Sequence, residues 1–567
     1  MASLSPSAVI ATTSTIPGTT TSLSSFSHKN SQISLIQKPK HSYAWSRVSC
    51  KATNSDQNPS NNSNDAQPLG RTLDRRNVLL GLGGLYGVAG LGTDPFAFAK
   101  PVAPPDVSKC GAADLPTGAQ KTDCCPPVAQ KIFDFQLPPQ SKLRVRPAAH
   151  AVDKAYIEKY SKAIELMKAL PDDDPRSFKQ QANIHCAYCD GAYDQAGFPD
   201  LELQIHGSWL FFPFHRYYLY FYERILGKLI NDPSFTLPFW NWDAPAGMQL
   251  PGMFANPKSS LYDKFRNANH QPPKLIDLNY NLKDANVSDE TQINTNLKIM
   301  YRQMVSNAKN PKLFFGNPYR AGDEPSPGGG AIETTPHGPV HIWTGGKRED
   351  FTDSDWLDSG FLFYDENANM VRVKVRDCVD SKKLGYVYQD VDIPWISQKP
   401  TPGRVKDVIK KFGHKLHGHG VAHAAETSTK VVAGAHFPIS LASKISIAVS
   451  RPQQKKRSQK EKDQEEEVLV IEGIEFDRDI GVKFDVHVND EDDLPSGPDK
   501  SEFAGSFVSV PHRHKHTKKI NTVLRLGLTD LLEDLDAEDD ETIVVTLIPR
   551  YGAEHVKIGG IKVEFAD

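Results

Sequence analysis

Apolar positions recur every three or four residues over residues 152–170, which predicts an amphipathic helix stopped by Pro171-Asp172. The run from Pro213 to Leu229 is apolar nearly all round. It predicts a central buried helix with proline in its first turn. Residues 245–345 read as loops with short helices, and 353–402 as loops with short strands. Past residue 465 the period falls to two. VLVIEGIEF, VKFDVHVND, TVLRLGLTDLL, TIVVTLIPRYG and IGGIKVEF alternate between turn signals, the pattern of a small antiparallel sandwich. No fixed-period repeat is present. The fold class expected is α+β multidomain: a mainly α-helical core followed by a small antiparallel β-sandwich.

Composition sharpens the ends of this picture. Residues 1–50 are rich in Ser and Thr and contain no Asp or Glu, the signature of an organelle transit peptide. Arg75-Arg76, an apolar run from Val78 to Leu91 and Ala97-Phe98-Ala99 form a second, twin-arginine export signal. That run is too short and glycine-rich for stable membrane insertion. Two signals in series predict import into a plastid, then passage through twin-arginine export machinery into the thylakoid lumen. The domains expected are a transit peptide at 1–52, a transfer segment at 53–99 and a core at 100–345. A core-closing segment at 346–402, a charged linker at 403–465 and the sandwich at 466–567 follow. With 66 Lys and Arg against 69 Asp and Glu, the charge is nearly balanced and argues for no nucleic-acid partner.

Candidate chemistry lies in histidines and cysteines. His185, His206 and His215 bracket the run W-L-F-F-P-F and lie beside Cys186 and Cys189. On one straight helix His206 and His215 would be about 900° apart in rotation, on opposite faces, and Pro213 lets a bend or helix start fall between them. One histidine among buried aromatics is usually structural. Three in this frame suit copper, and three neutral nitrogens leave a position open for dioxygen. His337 and His341, four residues apart, fall within about 40° on a helix and can share one metal. Cys110, Cys124, Cys125 and Cys186 form an even set compatible with two disulfides, three pairings being possible. His414, His417, His419 and His423, and His512, His514 and His516, lack an apolar frame and read as solvated basic surface.

HCAYC, HGSWLFFPFHRYYLYFYERIL, LPFWNWD, ETTPHGPVHIWTG, DFTDSDWLDSGFLFYDEN and VKFDVHVNDEDDLPSGPDKSEFAGSFV resemble plant polyphenol oxidases, the catechol oxidase and tyrosinase-like type 3 copper proteins. The resemblance covers nearly the whole chain. It implies a four-helix-bundle copper core and o-diphenols and O2 as the small-molecule partners. It implies His185, His206 and His215 as ligands of the first copper, with His337 and His341 as two of the three ligands of the second. Cys189 matches the cysteine joined to His206 by a thioether, and the implied disulfides are Cys110–Cys125 and Cys124–Cys186. Glu333 matches the acid that holds a water near the site, and Gly338 a position that tunes monophenol against diphenol activity. Arg144 or Arg146, with Tyr386 and Tyr388, resembles the pairing that closes the core. The sandwich is implied as a latency lid over the copper pocket.

The chain departs from the family at one place. Thr344-Gly345 runs directly into Gly346-Lys347, where the family carries a gating Phe and a helix with His-His-x-Asn-x-Asp-Arg. That helix supplies the third ligand of the second copper and one wall of the core. The expectation is therefore a catechol oxidase by family, with weakened hold on the second of its two copper ions and little activity. Its rivals are a non-catalytic chain holding one copper or none, and an incomplete gene model of an active enzyme. A reversible oxygen carrier is disfavoured by the plastid signals.

Overall fold

The computed structural model describes residues 100–113, 123–139, 142–345, 359–403, 431–432, 436–452, 457–490, 496–510 and 518–566. Both targeting signals, most of the DFTDSDWLDSG run and the His414–His423 and His512–His516 clusters lie outside them.

Helix α1 (Lys154–Lys168) starts where the Asp153 side chain accepts from Tyr156 N, and buries Tyr160, Ala163, Ile164 and Met167 at helical spacing. Helix α2 (Phe178–Cys189) is capped by Ser177. Helix α3 (Phe211–Leu229) begins two residues before the expected Pro213. The proline occupies its first turn, where a missing N–H forfeits no intrahelical bond. Helix α1 packs against both α2 and α3. Helix α4 (Asp289–Met304) is longer than the short helices expected in this region, with Ser288 as cap and Asp289 and Glu290 in its first turn. Short α5 (Pro311–Phe315) follows. A wide π turn over Glu333–His337 then leads into α6 (Gly338–Thr344). Gly345 ends α6 at φ +109°, and a Cβ there would meet Asn267 N at 2.5 Å, so only glycine fits.

Small sheets tie the helices together. Strands β1 (Ile132–Asp134) and β2 (Arg144–Arg146) precede the hairpin β3 (Asp194–Gln195) and β4 (Phe198–Glu202). Strands β5 (Gly360–Tyr364) and β6 (Met370–Lys374) are antiparallel, and β1 adds parallel to β6. Phe361 and Phe363 of β5 pack edge-on or tilted on Phe214 of α3, 5.3 Å between ring centres in both cases. Strand β7 (Tyr386–Tyr388) pairs with β2. Of the two candidate arginines, Arg146 stacks on Tyr386, 3.8 Å from guanidinium to ring centre, and its Nη1 meets the Tyr388 hydroxyl at 3.4 Å. Arg144 turns instead to the buried Glu223 of α3, which Arg146 also reaches at 2.7 Å.

The sandwich corrects a boundary. Strands β8 (Val431–Val432), β9 (Ile439–Ser440) and β10 (Ile445–Ser450) fall within the stretch read as linker, yet β10 lies beside the strand Thr542–Tyr551 across six residue pairs. Ile445, Ile447 and Val449 alternate with the small residues Ser446, Ala448 and Ser450, a period-two signal masked by the basic composition around it. Helix α7 (Gln459–Gln464), closed by a Ser458/Glu461 capping box, occupies the acidic run. The later strands are β11 (Glu466–Asp477), β12 (Val482–Val488), β13 (Phe503–Ser509), β14 (Lys519–Gly527), β15 (Thr542–Tyr551), β16 (Lys557–Ile558) and β17 (Gly560–Ala566), with α8 (Thr529–Asp534) between β14 and β15. One sheet runs β13-β12-β15-β10-β8. The other runs β14-β11-β16-β9, with β17 also paired to β11. Leu469, Ile471, Phe484, Val486, Val545 and Leu547 fill the space between them.

Candidate metal centre

His185 sits in α2, one turn before Cys189; His206 lies in the loop after β4; His215 follows the first turn of α3. Gly207, at φ +73°, turns the chain between the last two, and a Cβ there would press on Ser326 at 2.8 Å. The expected bend thus falls at Gly207 and the start of α3. His215 Nε2 is 3.4 Å from His185 Nε2. The ring centres of His185 and His215 are 5.5 Å apart, and that of His206 stands 5.9 Å from His215 and 6.5 Å from His185. His215 Nδ1 donates to Phe211 O at 2.6 Å and His206 Nδ1 to Gln204 Oε1 at 3.1 Å, which leaves each Nε2 as the lone-pair nitrogen. Burial, then the neighbouring His341, drives the His185 imidazole down to about 3. Burial and the surrounding histidines also hold His215 well below its ordinary value. His185 and His215 are thereby held neutral, and with His206 they offer the three-imidazole donor set a copper ion takes.

The second histidine pair converges on the same volume. His337 Nδ1 donates to Glu333 O at 3.1 Å, and the His337 and His341 rings are 4.5 Å apart. The Phe211 ring stands between the groups, 5.0 Å from His215 and 4.8 Å from His337. Electrostatic influence of His341 reaches His185 and His215, so the two histidine groups face one region. The Glu333 carboxylate accepts from Gly207 N at 2.8 Å and so ties the two ligand segments together. A third imidazole does not follow. No histidine lies between His341 and His414 in the sequence. His270, the nearest upstream, is engaged elsewhere: its ring stacks on Trp343 at 4.5 Å and its Nε2 meets Asp284 at 2.9 Å. The first position therefore fits copper; at the second, His337 and His341 are the two imidazoles brought together among the described residues.

The cysteines pair Cys110 with Cys125 and Cys124 with Cys186. The second bond pins α2 at the residue after His185. Cys189 stands buried outside both. Two residues near the site went unnoticed in the sequence. Gln204 holds the His206 ring, and Phe211 separates the two histidine groups; neither belongs to a spacing that signals a ligand. The mouth of the site is shared: His206, Glu333, His337 and Gly338 line a cavity closed by Phe507, Val508 and Ile520 of the sandwich. A Cβ on Gly338 would meet Val508 Cγ1 at 2.8 Å.

This arrangement, five histidines gathered between helices with a β-sandwich across the opening, defines a tyrosinase-type copper protein. Residues 175–364 match the common central domain of tyrosinase. Residues 350–401 match the polyphenol oxidase middle domain, and 437–565 the chloroplastic polyphenol oxidase C-terminal domain. The chain is 68% identical to a chloroplastic polyphenol oxidase of Malus domestica over 608 aligned positions, which cover 100% of each chain. It is 52% identical to one of Vitis vinifera, 98% of each covered. Among solved structures it is similar to latent apple tyrosinase (68% identity, TM-score 0.70, 77% of this chain and 100% of that one). Latent aurone synthase is also similar (39% identity, TM-score 0.74, 82% and 99%). The chain belongs to the plant chloroplastic polyphenol oxidase family, whose members are copper oxidoreductases. Its 567 residues fall short of the 608 positions aligned with the Malus relative, so that relative carries residues with no counterpart here.

Proposed function

We propose that this chain is a catechol oxidase of the plastid, converting o-diphenols to o-quinones while dioxygen is reduced to water. The observation that carries the reading is the convergence of His185, His206, His215, His337 and His341 on one buried volume. His185, His206 and His215 hold the first copper; His337 and His341 hold the second. Bound copper supplies the site for dioxygen and the electron acceptor for the diphenol. The protein's own part is to keep the His185 and His215 imidazoles neutral, to hold an acid, Glu333, at the edge of the pocket, and to leave Gly338 bare beside it. Cys189 joins His206 by a thioether. Relatives bear the name chloroplastic, which supports plastid import. The twin-arginine segment directs the chain onward to the thylakoid lumen. No helix of the described residues is long and apolar enough to cross a membrane.

A second reading rests on the missing imidazole. With two histidines the second copper binds weakly, and the absent helix removes one wall of a four-helix core. The chain then keeps its first copper and loses most of its turnover. Elemental analysis of copper-loaded protein, with oxygen uptake on a catechol after proteolytic removal of the sandwich, separates the two. Two coppers per chain and full uptake support the first reading; one copper and little uptake support the second. No tightly held copper at all defeats both.

A further inference from the structure

The loop that carries His206 is set by a single amide. Gln204 is buried, 1% exposed. Its Oε1 accepts from Ile205 N at 2.9 Å, from His206 N at 3.1 Å and from His206 Nδ1 at 3.1 Å. Its Nε2 donates to Cys189 O at 3.1 Å. Backbone N–H groups only donate and backbone carbonyls only accept, so these contacts fix which end of the amide is oxygen. The ring nitrogen facing that oxygen must carry its proton, and Nε2 of His206 is left as the metal donor. Cys189 is the last residue of α2, and its carbonyl belongs to the final turn that lacks helical partners. One side chain thereby satisfies a helix end and holds a histidine ring in register with it.

We propose that Gln204 is the positioning residue of the first metal site. It sets the His206 tautomer for copper and holds that ring against the Cys189 end of α2, so that the thioether joins these two residues. The inference rests on the reading of Cys189 given above. In the joining step the Cys189 S–H and a ring C–H of His206 break and a C–S bond forms. Two electrons and two protons pass to dioxygen, which leaves as hydrogen peroxide. Gln204 exchanges no electron. It limits ring rotation, so the sulfur and carbon meet in reacting geometry.

The test uses the full chain, Gln204→Leu and Gln204→Glu, each loaded with copper in air. Peptide mass spectrometry reads the fraction of chains whose Cys189 and His206 peptides are joined and two hydrogens lighter. Chelator competition reads copper affinity. The wild type is expected to join fully. Gln204→Leu should join at least roughly tenfold more slowly and bind copper about 10–100-fold more weakly, the usual cost of losing a partner behind a ligand. Gln204→Glu keeps the acceptor for the ring and loses the donor to Cys189, so it should keep its copper affinity while joining slowly. A Gln204→Leu protein that melts like wild type and matches it in joining rate and affinity overturns the proposal. If that variant does not fold, wild-type joining by Gln204→Glu does so. Wild-type protein that binds copper yet leaves Cys189 alkylatable overturns the thioether reading itself, and the joining role with it.

Discussion

Glu223 is the one acid in the apolar face of α3, and its carboxylate is fully buried between Arg144 and Arg146 while also accepting from Leu237 N at 2.9 Å. Arg146 in turn is 3% exposed and stacked on Tyr386. Replacing Glu223 with Ala leaves a buried guanidinium uncompensated, and the expected loss is about 3–5 kcal/mol of stability, read by denaturant unfolding. His215→Ala removes one of the three proposed donors, and copper analysis should show the first ion lost while the disulfides stay intact. The candidate histidines were legible in the sequence because copper chemistry restricts donors to a few side chains in an aromatic frame. Gln204 and Glu223 were not. Their importance comes from what they touch across the fold, and a lone amide or acid beside apolar residues carries no spacing of its own.

At the scale of elements, α2 presents His185 and Cys189 one turn apart and is held at Cys186 by the bond to Cys124. Cys186→Ser should cost about 2–5 kcal/mol and lower copper affinity, measured by thermal melting and chelator competition. Helix α1 buries Tyr160, whose phenol burial pushes up to about 12, and β5 buries Tyr364 to a similar value. An unfolded phenol ionises near 10, so below that pH both tyrosines contribute their full share of stability. The share is lost as pH rises from about 10 through about 12. Alkaline melting should fall in that window together with the phenolate absorbance, and Tyr160→Phe should flatten the slope. Helices α1 and α3 were readable from period and proline. Strand β10 was not, because its short alternation sits in a basic, polar stretch whose average composition reads as linker. The sandwich packing of Ile447 and Val449 decides its state.

Across the whole molecule, the sandwich docks on the core through polar contacts. Lys483 donates to Asn279 O at 2.6 Å and to its side-chain oxygen at 2.8 Å, Arg302 donates to Lys500 O at 3.1 Å, and Lys399 pairs with Asp534 at 2.7 Å. Lys483→Met removes a charged donor from two core oxygens and should weaken docking by about 1–3 kcal/mol, seen as faster hydrogen exchange at residues 276–282. If the sandwich acts as a lid, the same variant should also admit small phenols to the cavity beneath Val508 without protease treatment. The sequence by itself determined the family, the main helices and the candidate histidines, because these are carried by local period and by residue chemistry. It also showed that no histidine lies between His341 and His414. Only the tertiary structure decided which arginine stacks on Tyr386, how five histidines from four separate segments meet, and which amide aligns His206 with Cys189. Those outcomes depend on packing between segments far apart in the chain, where no local pattern records which side chain arrives first.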